Sequence, residues 1–124
     1  MKALHPLVSI VDDDESVRES LPDLVRELGF CAEAFSSAEE FLAFDRLDWT
    51  RCLILDVAMP GMTGPELRRE LERRRQAIPI IFVTAHRNDM LRPVLLGQGA
   101  VDCLFKPFTD DALEVALSLA LRSN

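Results

Sequence analysis

Short apolar runs recur along the chain at regular intervals, with longer stretches of mixed character between them. Four runs are nearly continuous, at residues 7–11, 52–55, 78–83 and 100–105, and a weaker alternating run covers residues 31–35. Continuous apolar strands are typical of sheets covered by helices on both faces, which is the environment of a parallel sheet. The pattern therefore predicts five β-strands.

The stretches between these runs have helical periodicity. In residues 15–28, apolar side chains recur at spacings of three and four, and Gly29 follows as a stop signal. Further helix starts are indicated by capping-box pairs and by acids in a first turn, namely Ser37 with Glu40, Thr63 with Glu66, and Asp110 and Asp111 after Thr109. Pro93 would break a helix interior, so we expect the fourth helix to be short or to begin late.

Strand and helix thus alternate five times within 124 residues. Such alternation implies right-handed β-α-β crossovers and a doubly wound α/β sandwich of three layers. No linker, repeat or low-complexity segment interrupts the pattern. We therefore expect residues 1–124 to form a single domain.

Composition narrows the classes of partner. The chain has 21 acidic residues against 14 Lys and Arg, a formal charge of −7. Binding to a phosphate backbone needs a basic surface, so direct binding of nucleic acid is disfavoured and metal cations fit better. The 48% of hydrophobic and 28% of charged residues are typical of a globular protein.

The cysteines and the N-terminus indicate the compartment. Cys31, Cys52 and Cys103 are an odd number and form no Cys-x-x-Cys pair, so we interpret them as small buried hydrophobic residues in a reducing environment. The first apolar stretch is interrupted by His5 and Pro6 and is unlike a signal peptide. No run approaches the roughly 20 apolar residues of a membrane span. We expect a cytoplasmic protein without a membrane role.

Chemically active side chains follow four of the predicted strands. Strand one ends in Asp12, Asp13 and Asp14, strand three in Asp56, strand four in Thr84, and strand five in Lys106. Because ligands of open parallel sheets bind beyond the carboxyl ends of the strands, these side chains should share one edge. Asp14 alone is most simply a helix cap. The other carboxylates would repel one another unless a cation neutralised them, and Mg²⁺ prefers such oxygen ligands.

Together these residues resemble the receiver domains of two-component response regulators. The resemblance spans nearly the whole chain. It is carried by Val11-Asp12-Asp13, by the run from Leu53 through Asp56 and Pro60 to Gly64, by Thr84-Ala85, and by Lys106-Pro107-Phe108. The segments 36–42 and 99–102 are similar to receivers of nitrogen-fixation and LuxR-type transcriptional regulators. The resemblance implies a flavodoxin-like (βα)5 fold with a parallel sheet in the order 2-1-3-4-5.

It also implies the chemistry of each residue. Asp56 would be the nucleophile that takes a phosphoryl group from a sensor histidine kinase or a phosphotransfer protein. Mg²⁺ would be bound by Asp13, Asp56 and the Ala58 carbonyl, with Asp12 acting through a water. Lys106 and Thr84 would bind the phosphoryl oxygens. The chain would be a signalling phosphoacceptor that catalyses only its own phosphoryl transfer and dephosphorylation.

Further details come from the same resemblance. The Lys106–Pro107 peptide bond is typically cis in this family, and the residues at the positions of Ala58 and His86 modulate loss of the phosphoryl group. An exposed imidazole without such a role remains an equal alternative for His86.

Two features direct attention to the fifth strand and the last helix. The family usually has a Tyr or Phe three residues before the lysine, where this chain has Cys103, which puts the coupling to an output surface in doubt. We hypothesise that Phe105 anchors a partner, burial by its own helices being the alternative. In the last helix, Asp111, Glu114, Ser118 and Arg122 form a narrow polar stripe. We predict that Leu117 and Leu121 lie in an interface, either between two receivers or with an effector domain.

Three other functions fit the sequence less well. A haloacid-dehalogenase-type phosphatase needs an acid at position 58, which is alanine. A flavin-binding flavodoxin-like module needs a phosphate loop after strand one, where three aspartates would repel phosphate. A degenerate receiver that acts only as a protein-interaction module is the alternative function, and the complete set of Asp12, Asp13, Asp56, Thr84 and Lys106 argues against it. Whether an effector domain follows residue 124 in the natural protein stays open.

Overall fold

The computed structural model describes residues 5–122, and for Arg122 the backbone alone. Five strands form one parallel sheet in the order β2-β1-β3-β4-β5, which confirms the predicted topology. The strands are β1 Leu7–Val11, β2 Cys31–Phe35, β3 Thr50–Asp56, β4 Ile80–Thr84 and β5 Asp102–Phe105. The helices are α1 Glu15–Glu27, α2 Ala38–Leu42, α3 Gly64–Arg73, α4 Leu91–Gly97 and α5 Asp110–Arg122. No helix within residues 5–122 is long and apolar enough to cross a bilayer.

Several strand boundaries differ from those predicted. β3 begins at Thr50, two residues earlier than the apolar run, because the buried Thr50 hydroxyl has a partner in Ser9 at 2.8 Å. β4 begins only at Ile80, after Pro79, which has no N–H to give to a ladder. β5 begins at Asp102 rather than at residue 100. A polar residue with a partner can thus extend a buried strand, and proline can shorten one.

The sheet divides two hydrophobic cores. Side chains alternate along each strand, so neighbours such as Ile10 and Val11 belong to opposite cores. One core packs against α1 and α5, through side chains such as Leu21 and Leu113. The other packs against α2, α3 and α4, through side chains such as Phe41. This arrangement is the three-layer sandwich that the sequence predicts.

The helix starts follow the predicted signals. Asp14 caps α1 by accepting a hydrogen bond from the Ser16 N–H, and Ser37 caps α2 in the same way. Thr63 and Glu66 form a complete capping box at α3. The helix α4 has seven residues, with Pro93 in its first turn where a missing N–H costs no helical bond. The expectation of a short fourth helix is confirmed.

The surface of α5 differs from the predicted one. Leu117 is fully buried in the core beneath this helix, and Leu121 is half-buried against the same core. The exposed apolar side chains are instead Val115 and Leu119, with 59% and 46% of their areas exposed. The assignment of Leu117 to an interface was therefore wrong, because the inward face of α5 is centred on Leu113 and Leu117. The prediction that Arg122 belongs to the polar stripe concerns a side chain that lies outside the described part of the structure.

The cysteines are not all buried. Cys52 and Cys103 lie in the cores as expected, and burial raises the pKa of the Cys52 thiol to about 12. Cys31 is exposed, because it begins β2 at the edge of the sheet. The prediction that it is buried was wrong.

A short 3₁₀ turn, Leu47–Trp49, leads into β3. Leu47 is buried beneath it, whereas Trp49 has 63% of its area exposed. The Arg46 guanidinium lies over the Phe44 ring at 5.1 Å and over the Trp49 ring at 5.8 Å. Trp49 thus lies exposed at the amino end of β3, with Arg46 at cation–π distance from its ring.

Candidate functional site

Three carboxylates meet at the carboxyl edge of the sheet. Asp12 and Asp13 follow β1, and Asp56 ends the neighbouring strand β3. One carboxylate oxygen from each residue lies within 4.8 Å of one from the other two. Asp12 and Asp56 are buried and Asp13 is exposed, so the cluster opens to solvent on one side. The predicted convergence of these three residues is confirmed.

The Asp12 side chain is enclosed by protein. Its Oδ1 atom accepts a hydrogen bond from the Asp14 N–H at 2.9 Å. Its Oδ2 atom is buried and accepts no well-directed hydrogen bond from the described residues, although the Lys106 ammonium approaches it to 2.9 Å. The Arg18 guanidinium donates to the Asp12 carbonyl at 3.1 Å, a contact that the sequence reasoning missed. A buried carboxylate oxygen with one cationic neighbour has capacity for a further positive ligand.

Lys106 reaches the cluster from the end of β5. Its Nζ atom lies 2.9 Å from Asp12 Oδ2 and 4.0 Å from Asp56 Oδ2, and its side chain is only 18% exposed. Burial works against the charged ammonium, but contact with Asp12 and the charges of Asp56 and Asp14 raise the pKa of Lys106. The Lys106–Pro107 peptide bond is cis, as the resemblance implies. Lys106 therefore stays protonated and faces two carboxylates.

The electrostatics at Asp56 are unfavourable to its charge. Burial and the negative charge of Asp12 raise the pKa of Asp56 to about 7, and the positive charge of Lys106 only partly offsets them. Without a metal ion, the fold therefore favours the protonated form of Asp56 more than water does.

Thr84 and Ala58 lie at the carboxyl ends of β4 and β3. Thr84 is buried at the end of β4, next to Val83, which pairs with Asp56 in the sheet. Its hydroxyl accepts a hydrogen bond from the His86 N–H at 3.1 Å, which leaves the hydroxyl hydrogen available to another acceptor. Ala58 is exposed in the loop that follows β3. Thr84 and Ala58 thus lie at the predicted edge of the sheet.

The segment between β3 and α3, residues 57–63, is the loop that carries Ala58, and we call it the β3–α3 loop. Its base is closed by a hydrogen bond from the Gly64 N–H to the Val57 carbonyl at 3.0 Å, and Met59 is buried in the core. Glu39 on α2 accepts a hydrogen bond from the Met62 N–H at 3.2 Å. Sequence reasoning missed Glu39, because nothing local marks a contact across 23 positions.

The arrangement suits a hard divalent cation. Two buried carboxylates, one exposed carboxylate and an open side give an all-oxygen donor set with room for water, which is the environment that Mg²⁺ prefers. The Asp12 oxygen without a directed donor and the raised pKa of Asp56 are the properties that such an ion would correct. The donor set fits magnesium chemistry.

Comparisons with known proteins agree with this geometry. The family described as response regulator receiver domain matches residues 8–118. Response regulator protein TodT of Pseudomonas putida is 40% identical over 116 residues, which are 94% of this chain and 51% of TodT. Nodulation protein W of Bradyrhizobium diazoefficiens is 44% identical over 107 residues, 86% of this chain and 47% of the relative. The chain thus spans about half the length of these relatives.

The fold has solved counterparts. The crystal structure of FixJ-N superposes with a TM-score of 0.83 at 36% identity, covering 100% of this chain and 98% of the other.

Proposed function

Because the chain belongs to the response regulator receiver family, whose members accept a phosphoryl group in two-component signalling, we propose that Asp56 is its phosphoacceptor. One observation carries this assignment. The Asp56 carboxylate lies close to those of Asp12 and Asp13 and 4.0 Å from the Lys106 ammonium. The phosphoryl donor is a phosphohistidine of a sensor kinase or of a phosphotransfer protein.

In the proposed reaction, an Asp56 oxygen attacks the phosphorus in line with the departing imidazole nitrogen. The O–P bond forms as the P–N bond breaks, and the P–N electron pair returns to the imidazole, which leaves as the neutral base because its other ring nitrogen already carries a proton. Lys106 and the Thr84 hydroxyl bind the equatorial oxygens, where negative charge must be neutralised. This chemistry needs positioning and positive charge more than acid–base catalysis, and the site is built accordingly.

Asp13, Asp56 and the Ala58 carbonyl would bind Mg²⁺, with Asp12 acting through a water. When bound, the ion would neutralise charge on the carboxylates and on the incoming phosphoryl oxygens. The Lys106 ammonium is 4.0 Å from the Asp56 carboxylate and also contacts Asp12, so it cannot neutralise all three acids alone.

The proposal extends to the location of the protein, the loss of the phosphoryl group and the output of the signal. The chain acts in the cytoplasm as a signalling phosphoacceptor that also hydrolyses its own acyl phosphate, with His86 and Ala58 modulating the rate. The relatives include proteins named as transcriptional regulators, so we propose that it controls transcription through an effector partner and does not itself bind nucleic acid.

The proposed output surface lies on α5 and β5. Val115 and Leu119 are exposed on α5 among Asp111, Glu114 and Ser118. Phe105 is half-buried on the edge strand, and the Arg87 guanidinium covers its ring at 5.0 Å. Displacement of Arg87 would therefore be needed before Phe105 could anchor a partner.

We expect Leu119→Glu to weaken association with a second receiver or an effector domain, because it puts a charge into an apolar contact. Sedimentation with and without beryllofluoride, a phosphoryl mimic, measures this. The matched control is Val94→Glu, which puts the same charge on an equally exposed apolar side chain of α4, on the opposite face of the sheet from α5. Equal association of the parent and both variants would remove α5 from the interface.

The phosphoacceptor assignment is tested by mapping the modified residue. The parent chain, incubated with acetyl phosphate and Mg²⁺, should acquire one phosphoryl group that hydroxylamine removes. Borohydride reduction and peptide mapping should place it at Asp56. A phosphoryl group on Asp12, Asp13 or a histidine would contradict the proposal.

A further inference from the structure

The β3–α3 loop carries Ala58, whose carbonyl is a proposed magnesium ligand, and four contacts restrain the loop. Three are local to the loop and α3: the Gly64–Val57 hydrogen bond at its base, the buried Met59 side chain, and the capping box of Thr63 with Glu66. Between the buried Met59 and the cap at Thr63, the chain runs through Pro60 and Gly61, which are exposed.

The fourth contact comes from another layer of the fold. The Glu39 carboxylate on α2 accepts the Met62 N–H at 3.2 Å, and the Glu39 carboxylate would also lie 3.2 Å from a side-chain carbon placed on Gly61. Gly61 has a φ of +73°, so the chain turns here in the left-handed region that favours glycine. The loop therefore bends closely around the Glu39 carboxylate.

The neighbouring residue, Glu40, has hydrogen bonds to a different partner. Glu40 turns back to accept hydrogen bonds from the Ser36 N–H at 2.6 Å and the Ser36 hydroxyl at 3.1 Å. The two glutamates are adjacent on one helix, are both exposed and carry the same charge. Of these two glutamates, only Glu39 has a hydrogen bond to the loop within the part of the chain that the structure describes.

We propose that Glu39 is a positioning residue for the magnesium site. By accepting the Met62 N–H, it fixes the outer part of the β3–α3 loop and so holds the Ala58 carbonyl in the orientation that the ion requires. This inference rests on the proposed function, because it assumes that the site binds Mg²⁺. Backbone ligands depend on the surrounding conformation, and loss of an outer contact typically weakens metal binding.

The experiment compares the parent with Glu39→Ala, Glu39→Gln and Glu40→Ala. In the metal-free chain, amide hydrogen exchange at Met62 should become faster in Glu39→Ala and stay near the parental rate in the other two. Calorimetric titration should give an Mg²⁺ dissociation constant raised about tenfold in Glu39→Ala. Glu39→Gln keeps an acceptor oxygen and should restore most of the affinity, which separates the hydrogen bond from the charge.

The control variants distinguish a failure of this inference from a failure of the proposed function. Asp13→Asn removes a direct carboxylate ligand and should lose most of the affinity, while circular dichroism verifies that each variant is folded. If Glu39→Ala binds Mg²⁺ as tightly as the parent while Asp13→Asn does not, Glu39 has no positioning role and the proposed function stands. Equal weakening in Glu39→Ala, Glu39→Gln and Glu40→Ala would reduce the effect to charge and overturn the inference. Absence of Mg²⁺ binding by the parent itself would overturn the metal site and the inference together.

Discussion

Asp56→Asn is expected to abolish phosphorylation by acetyl phosphate, with labelling at least about a hundredfold below the parent, because the amide cannot attack phosphorus. The matched control is Asp14→Asn, which alters another acid after β1 but leaves a residue that can still cap α1. Phosphate incorporation measured by intact-protein mass spectrometry should fall only in Asp56→Asn. Full labelling of that variant would remove Asp56 from the reaction.

The same substitution is expected to stabilise the metal-free fold. A pKa raised from 3.8 to about 7 means that the fold favours the protonated Asp56, so ionisation destabilises the native state. The penalty is absent below about pH 4, develops as the pH rises toward 7, and is complete above it. The shift corresponds to at most about 4 kcal/mol, and we expect Asn to recover about 2 kcal/mol because the amide is still buried.

Thermal unfolding at several pH values measures this effect. At pH 8 without Mg²⁺, the variant should melt roughly 6–10 °C above the parent, and at pH 4 the two should nearly coincide. Added Mg²⁺ should raise the midpoint of the parent more than that of the variant, since it neutralises a charge that only the parent has. A stabilisation independent of pH would show that the charge of Asp56 is not its cause.

Gly64→Ala is expected to lower the free energy of unfolding substantially. Gly64 begins α3, and a Cβ there would overlap the Asp56 carbonyl oxygen and lie 3.1 Å from both the Phe82 ring and the Val57 Cα. Two of these neighbours are backbone atoms that cannot rotate away. We expect a loss of about 2–3 kcal/mol in the free energy of unfolding, the upper part of the range for overpacking.

The displaced backbone belongs to the phosphoacceptor itself, so labelling of Gly64→Ala should also be slower than in the parent. Gly97→Ala is the matched control, because Gly97 ends α4 with open space around it. That variant should be neutral or stabilised by up to about 1 kcal/mol, since alanine favours helix. Chemical denaturation of both variants decides the point: equal stabilities would mean that α3 moves outward freely at Gly64.

The sequence predicted the layers of the fold because hydrophobic periodicity and helix N-caps depend on residues that are neighbours in the chain. The runs that became β1 and β4 are continuous and fully buried, and Asp14, Ser37 and Thr63 each cap the helix that they precede. The strand-end acids were also predictable, because parallel strands bring their carboxyl ends to one edge.

What escaped prediction depends on three-dimensional neighbours. The rotation of α5 on the sheet, which buries Leu117 and exposes Val115, is not set by the polar stripe alone. The exposure of Cys31 follows from its place at the start of an edge strand. The Glu39–Met62 contact requires a loop conformation that no spacing encodes.

The position of Trp49 has a practical consequence for spectroscopy. It is the single tryptophan of the chain, and it lies at the amino end of β3, seven residues before Asp56 and about 20 Å from it along the strand. Its emission depends on the Arg46 guanidinium over its ring and on the solvent around it, and Arg46 pairs with Glu33 and Asp45 rather than with the acidic cluster. Tryptophan fluorescence therefore follows unfolding of this protein, whereas occupancy of the site has to be read from a probe placed at the opposite edge of the sheet.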